Sequence, residues 1–282
     1  MKLFFTLALL VASLAHHQSP RAEPEPTVVT SIHPLSLMVA DLAGDWLEVR
    51  QLLGSNQEPH HVALSFSQRR LLADARLVVW VGPVLETYLV KSTADLEASR
   101  QLSLQALAET LEIDTRDPHL WLQPQLVAAF YPLLAEHMVA AFPQREAEIK
   151  ARLEERLAAV ERTTLRVKQR LAALPHRGVI VDHQAYDHFT TYFGITVAGA
   201  LVNETGVGGG ARSFAKLAAM DNIACVVVEQ LPAPQRARKL AASLGVEIVA
   251  IDPLGVSLAH SQGYPGLLEA LAGGFEACLG KS

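Results

Sequence analysis

The feature that most constrains the fold is a stretch between Pro143 and Pro175 that contains neither proline nor glycine. Its charged residues are interleaved with apolar residues at the three- and four-residue spacing of a helix with one buried face. About 30 residues of helix would be roughly 45 Å long, which exceeds the width of a small domain. The pattern predicts one rigid helix that connects two lobes; an ordinary surface helix of the second lobe is the alternative.

The segments on both sides of this stretch follow one pattern. Apolar runs at residues 27–32 and 77–81 are typical of strands that are covered on both faces, and helical segments follow them. The same alternation resumes at residues 178–181, 224–228 and 246–251. Strands that alternate with helices form parallel sheets. We therefore predict an α/β fold of two lobes, each a mainly parallel sheet with flanking helices, joined by one long helix.

The amino terminus indicates secretion. Lys2 is followed by an apolar run at residues 3–12 and then by small residues, which is typical of a signal peptide cleaved after Ala15 or Ala22. The run is too short to span a membrane, and no cysteine near it could accept a lipid. We expect a soluble mature protein in the periplasm.

These patterns divide the chain into four parts. Residues 1–22 are the predicted signal peptide and leader, and residues 23–142 the N-terminal lobe. Residues 143–175 are the linking helix, and residues 176–282 the C-terminal lobe. The formal net charge of -5, without a long basic run, argues against nucleic acid as a partner. We expect a monomer.

Cys225 and Cys278 are the two cysteines of the chain. An even pair in an oxidising compartment favours a disulfide, with two buried free thiols as the alternative. Their spacing is far too wide for a Cys-x-x-Cys redox motif, so a structural role is expected.

Histidines stand at three places where apolar elements end or loops begin: at His60 and His61, at His119, and at His183. In the first two places a proline precedes the histidine and fixes the backbone outside a helix. Residues at the ends of parallel strands converge on the crevice in which such sheets bind ligands. The three places together therefore predict a shared metal site. Of the adjacent pair, His61 is the weaker candidate, because neighbouring side chains usually point apart.

Several blocks of the sequence match those of a known family. They are the segments TSIHPL at 30–35, LVVWVGP at 77–83, DPHLWL at 117–122, HQAY at 183–186 and DPLG at 252–255. In these blocks, and over nearly all of its mature length, the chain resembles the zinc and manganese substrate-binding proteins of bacterial ABC importers. The similarity is greatest to the periplasmic zinc-binding ZnuA type.

This resemblance implies that His60, His119 and His183 are metal ligands. It leaves the fourth ligand open, with Asp252 as the first choice and water or Glu58 as alternatives. Three imidazoles with at most one carboxylate suit Zn²⁺ better than Mn²⁺, which prefers more oxygen donors. The resemblance also implies a membrane permease, powered by a cytoplasmic ATPase, as the partner.

The sequence departs from the family pattern in two places. Residues 107–114 are short and contain no histidine, whereas zinc members usually carry a loop rich in histidine and aspartate just before the second ligand. Some members also place an acidic ligand directly before the first histidine, where this chain has Pro59.

Two enzyme classes are the rival interpretations. The glycines of residues 206–211 satisfy the G-x-G-x-x-A form of a dinucleotide loop, with Glu229 at a suitable distance, but residues 203–205 separate them from the strand. Three histidines and a water would also describe a zinc hydrolase, but the chain has no His-Glu-x-x-His helix. We expect no catalytic residues. We interpret Glu229 as a strand-end carboxylate; the alternative is a hydrogen-bond acceptor for one of the metal-binding histidines. His188 is expected to lie outside the site.

Overall fold

The structure is a computed structural model that describes residues 27–54, 57 and 62–280. The predicted signal peptide at residues 1–22 lies outside the described residues, as do Glu58, His60 and His61.

Two four-stranded sheets form the two lobes, and every strand pair in them is parallel. The first sheet has the order β2-β1-β3-β4 and consists of β1 (Val28–Thr30), β2 (Val49–Gln51), β3 (Leu77–Trp80) and β4 (Gln101–Ser103). The second has the order β6-β5-β7-β8 and consists of β5 (Gly178–His183), β6 (Val197–Val202), β7 (Ile223–Val228) and β8 (Glu247–Ala250). The predicted fold class is confirmed.

Ten helices flank the sheets in the described part of the chain. Those of the first half are α1 (His33–Ala43), α2 (Phe66–Asp74), α3 (Val90–Ala94), α4 (Leu104–Thr110) and α5 (Pro124–Ala141). The second half contains α6 (Glu146–Ala172), α7 (Asp187–Phe193), α8 (Ala211–Ala218), α9 (Gln235–Leu244) and α10 (Gly263–Leu279).

The predicted long helix is α6, which runs from Glu146 to Ala172 after a short 3-10 turn at Pro143–Arg145. It buries one face, including Ile149, Val160 and Val167. That face packs against α1 and α5 of the first lobe and against α7 and α10 of the second. A helix packed on both lobes holds them at a fixed separation.

The carboxy-terminal helix α10 is a second connection between the lobes, because it contacts α1 as well as β7 and β8. Its last turn carries Cys278, which forms a disulfide with Cys225 on β7. Both cysteines are buried. The predicted disulfide is therefore present, and it fixes the end of α10 to the second sheet.

Within the described residues, no helix combines the length and apolar character that crossing a membrane requires.

Candidate metal centre

Two of the predicted ligands come together between the lobes. His119 follows Pro118 in the first lobe and directly precedes a 3-10 turn at Leu120–Leu122, while His183 is the last residue of β5 in the second. Their ring centroids lie 5.0 Å apart, with the ring planes at 73°. Each imidazole therefore sits where a strand or loop ends at the crevice, as the sequence pattern predicts.

His119 is held by an aspartate two residues earlier. Its Nδ1 lies 2.7 Å from Oδ1 of Asp117, and the same oxygen accepts a hydrogen bond from the His119 backbone N–H at 3.0 Å. Burial acts to raise the pKa of Asp117, but the hydrogen bond and charge of His119 outweigh it, so that the pKa lies below its ordinary value. A carboxylate at Nδ1 fixes the neutral tautomer whose Nε2 carries the lone pair that a metal needs.

His183 has an equivalent partner in the second lobe. Its Nδ1 lies 2.7 Å from Oε1 of Glu229, the residue that directly follows β7. Glu229 is therefore not simply a strand-end carboxylate, which is the interpretation preferred from the sequence, because it accepts a hydrogen bond from His183. Nε2 of His183 lies 3.4 Å from the Glu204 carbonyl oxygen.

The strand register explains the pairing of His183 with Glu229. Strands β5 and β7 are neighbours, and Val181 is paired with Val227. Two residues further along each strand, the side chains return to the same face of the sheet. His183 and Glu229 are thus adjacent side chains at one edge.

Asp252 lies in the loop after β8 and is half-buried. Its Oδ1 accepts the backbone N–H of Leu254 at 2.8 Å, and its Oδ2 accepts that of Val256 at 2.7 Å. The loop is tied to the first lobe, because Trp121 Nε1 donates to the Pro253 carbonyl at 2.8 Å. Asp252 is thus a loop-organising residue near the crevice, and its role as a fourth ligand remains a prediction.

A negative environment surrounds Tyr186, which is fully buried behind the crevice. Burial raises its pKa well above the ordinary value, and the charges of Glu229, Asp252 and Asp182 raise it further. The negative charges of Glu229, Asp252 and Asp182 therefore all act on the region around Tyr186. Such a field favours a cation in the crevice.

His188 lies beside the site, on α7. Its Nε2 donates to the Asp117 carbonyl at 3.1 Å and lies 3.6 Å from Asp117 Oδ2. It therefore contacts the residue that holds His119.

His33 and His260 have structural partners. Their rings stack at a centroid distance of 5.6 Å. His33 is also within hydrogen-bond distance of Gln51 and of the Leu258 carbonyl. These contacts give both histidines a structural role.

Among the residues that the structure describes, no group of three or more His, Cys, Asp or Glu has the geometry to hold a metal. The part of the chain described here therefore supplies a pair of imidazoles and not a complete ligand set. The type of donor nevertheless fits zinc, since both imidazoles carry the carboxylate partner that zinc-binding histidines usually have.

The glycine cluster does not form a dinucleotide loop. Asn203 Oδ1 accepts from the backbone N–H groups of Thr205 and Val207, and Gly209 N–H donates to the Leu201 carbonyl. The segment therefore folds back on β6 before α8 begins, instead of leading directly from strand to helix.

Comparison with known proteins gives one family. The family model described as "Zinc-uptake complex component A periplasmic" matches residues 28–278. A high-affinity zinc uptake system protein ZnuA from Haemophilus ducreyi is 27% identical, over 89% of this chain and 93% of that protein. A putative metal-binding protein from Thermotoga maritima is 28% identical, over 91% of each.

Solved structures share the fold. The periplasmic zinc-binding protein TroA from Treponema pallidum superposes with a TM-score of 0.80 at 20% identity, over 90% of this chain and 99% of that one. A crystal structure of ZnuA gives a TM-score of 0.77 at 22% identity, over 90% and 99% of the two chains.

Proposed function

Because the chain belongs to the ZnuA family of periplasmic zinc-uptake components, we propose that it binds Zn²⁺ with high affinity and delivers it to the permease of an ABC importer. The observation that carries this proposal is the pair of imidazoles of His119 and His183, one from each lobe, 5.0 Å apart and each held by a carboxylate. Two such donors in a crevice between lobes can take an ion from solvent and enclose it.

The proposed ligands are His60, His119 and His183, with Asp252 in the fourth position. His60 belongs to the connection between β2 and α2, which leaves the first sheet at the carboxyl end of β2. Since β1, β2 and β3 are parallel, that connection starts at the carboxyl edge of the first sheet, where sheets of this kind bind ligands. Water and Glu58 remain the alternatives for the fourth ligand.

Zinc is the proposed cargo because the donors are mainly nitrogen. A tetrahedral set of three imidazoles and one oxygen suits Zn²⁺, whereas Mn²⁺ is better served by more carboxylate oxygens. A manganese-binding protein of the same transport class is the alternative.

The protein is proposed to act as a monomeric carrier and not as an enzyme. A catalytic zinc needs a water with a general base beside it. The carboxylates nearest to the two imidazoles, Asp117 and Glu229, instead accept hydrogen bonds from His119 and His183. Carriage of zinc to a permease requires only binding and release.

The test is metal content after secretion. The mature protein is purified aerobically without added metal, and its metals are measured by mass spectrometry beside an exposed-histidine control, His176→Ala. We expect about one zinc per chain in both proteins. Stoichiometric manganese, or a folded protein that neither carries nor takes up zinc, would contradict the proposal. Failure of the protein to restore zinc-limited growth to a strain that lacks its gene would contradict the transport role.

A further inference from the structure

Each lobe contributes one histidine and one carboxylate with the same geometry. In the first lobe Nδ1 of His119 lies 2.7 Å from Asp117, and in the second Nδ1 of His183 lies 2.7 Å from Glu229. The two carboxylates come from different sources: Asp117 is two residues from its histidine, whereas Glu229 reaches His183 through the pairing of β5 with β7. The same histidine–carboxylate contact thus arises from sequence proximity in one lobe and from strand pairing in the other. This recurrence indicates that the contact serves the metal site.

We propose that Glu229 is a positioning residue for zinc binding, which acts through His183 and is matched by Asp117 in the other lobe. This inference deepens the proposed function and rests on it. Glu229 accepts a hydrogen bond from Nδ1–H of His183, which keeps the lone pair on Nε2 and fixes the ring plane relative to His119. The ring then does not have to change tautomer or rotate when the ion arrives.

The same pair of carboxylates has an electrostatic role. Three neutral imidazoles leave the full +2 charge on the bound ion, and a single carboxylate ligand would leave +1. Asp117 and Glu229 each stand one imidazole ring away from the ion and compensate this charge without occupying a coordination position. The charge in the crevice is then compensated whether Asp252 or a water takes the fourth position.

Glu229 is the better of the two residues to change. Its side chain is 40% exposed, so that a neutral side chain of the same size can be hydrated there. The side chain of Asp117 is 16% exposed, and Asp117 also accepts the His119 backbone N–H and contacts His188, so that its replacement would disturb the loop itself.

The experiment compares Glu229→Gln and Glu229→Leu with the wild-type protein in a zinc competition titration. Gln keeps an oxygen acceptor but loses the charge, and Leu loses both. We expect zinc affinity to fall about 10-fold for Gln and about 100-fold for Leu, the range over which such outer partners act. Glu247→Gln, which removes a charge from an exposed position on β8 of the same lobe, is the control and should stay within about twofold.

A second readout separates positioning from stability. The ¹⁵N spectrum of the His183 ring in the zinc-free protein should show the Nδ1–H tautomer in the wild type and in Glu229→Gln, and a mixture of tautomers in Glu229→Leu. The melting temperature (Tm) of the zinc-free variants should stay close to that of the wild type, since the side chain is partly hydrated. A purely structural role would lower Tm and leave the tautomer unchanged.

Two results would overturn the inference. Zinc affinity within twofold of wild type in both Glu229 variants would show that the contact does not serve binding. A loss in Glu229→Gln as large as that in His183→Ala would make Glu229 a direct ligand. If the folded wild-type protein itself binds no zinc, the proposed function fails, but the tautomer of His183 still shows whether Glu229 positions the ring.

Discussion

The carboxylate of Asp41, on α1 in the first lobe, lies directly against Gly263, the first residue of α10. It accepts hydrogen bonds from Tyr131 Oη at 2.6 Å and from the Tyr264 backbone N–H at 3.1 Å. Gly263 has φ +58°, and a Cβ there would overlap the carboxylate. Only glycine therefore allows α10 to start this close to α1.

Gly263→Ala should destabilise the protein by about 3 kcal/mol, because it combines a left-handed backbone with a clash against a buried carboxylate. Gly273→Ala is the matched control in the same helix, since nothing lies within 4 Å of a Cβ at that position. It should stabilise the helix by about 0.5 kcal/mol. Urea unfolding measures the change in unfolding free energy for both variants. Equal changes would show that the contact between Asp41 and residue 263 does not require glycine.

Glu86 should make stability depend on pH. Its side chain is fully buried in the loop after β3, and burial raises its pKa from 4.5 to about 7, against the opposing effect of the hydrogen bond that it accepts from the Gly82 backbone N–H. Between these two values the unfolded chain releases the proton while the folded chain keeps it. The contribution of Glu86 to the free energy of unfolding therefore falls as pH rises from about 4.5 to 7, and then levels off.

Glu86→Gln removes this titration. Relative to the wild type, the variant should gain about 3 kcal/mol in unfolding free energy between pH 4.5 and pH 8. Urea unfolding at both pH values gives the difference, and the comparison cancels the other titrating groups. A difference that is the same at both pH values would show that Glu86 ionises normally in the fold.

Reduction of the Cys225–Cys278 disulfide should lower Tm without releasing zinc. The bond closes a loop with a sequence separation of 53 and should contribute about 4 kcal/mol in the chain-entropy model. The reduced protein and the Cys225→Ala/Cys278→Ala variant should show the same loss of Tm, with zinc affinity within twofold of wild type. Release of zinc on mild reduction would show that zinc binding depends on the disulfide.

Asp252→Asn should weaken zinc binding more than Glu58→Gln, because only one carboxylate can complete a tetrahedral set with three imidazoles. Asn keeps one oxygen to accept the backbone N–H groups of Leu254 or Val256, so that the loop is only partly disturbed. Competition titrations rank the zinc affinities of the two variants. Thermal unfolding of the zinc-free forms checks that the loop after β8 remains folded. The reverse ranking would move the fourth ligand to the segment beside His60.

Local patterns predict the two α/β lobes and the long helix, because each depends on residues close in sequence. The meeting of His119 and His183 is predicted instead by the rule that the ends of parallel strands converge on one crevice. Strand β4 has only three residues, and Pro132 breaks the usual pattern of a helix interior in α5, so that neither element is evident from local patterns. The contact of Glu229 with His183 is not evident from them either. That contact depends on β7 pairing with β5, and strand order within a sheet is a long-range property that the succession of strands along the chain does not give.

A zinc competition titration of His60→Ala, His119→Ala and His183→Ala, beside His176→Ala, tests whether these three histidines hold the ion. We predict one tight site in the wild type and in His176→Ala, and a loss of affinity of at least about 100-fold in each of the other three, since each removes a ligand. Binding in the wild type should also fall steeply below about pH 6, as the imidazoles must be deprotonated to bind. Near-wild-type affinity in all three variants would show that the zinc site lies elsewhere in the protein.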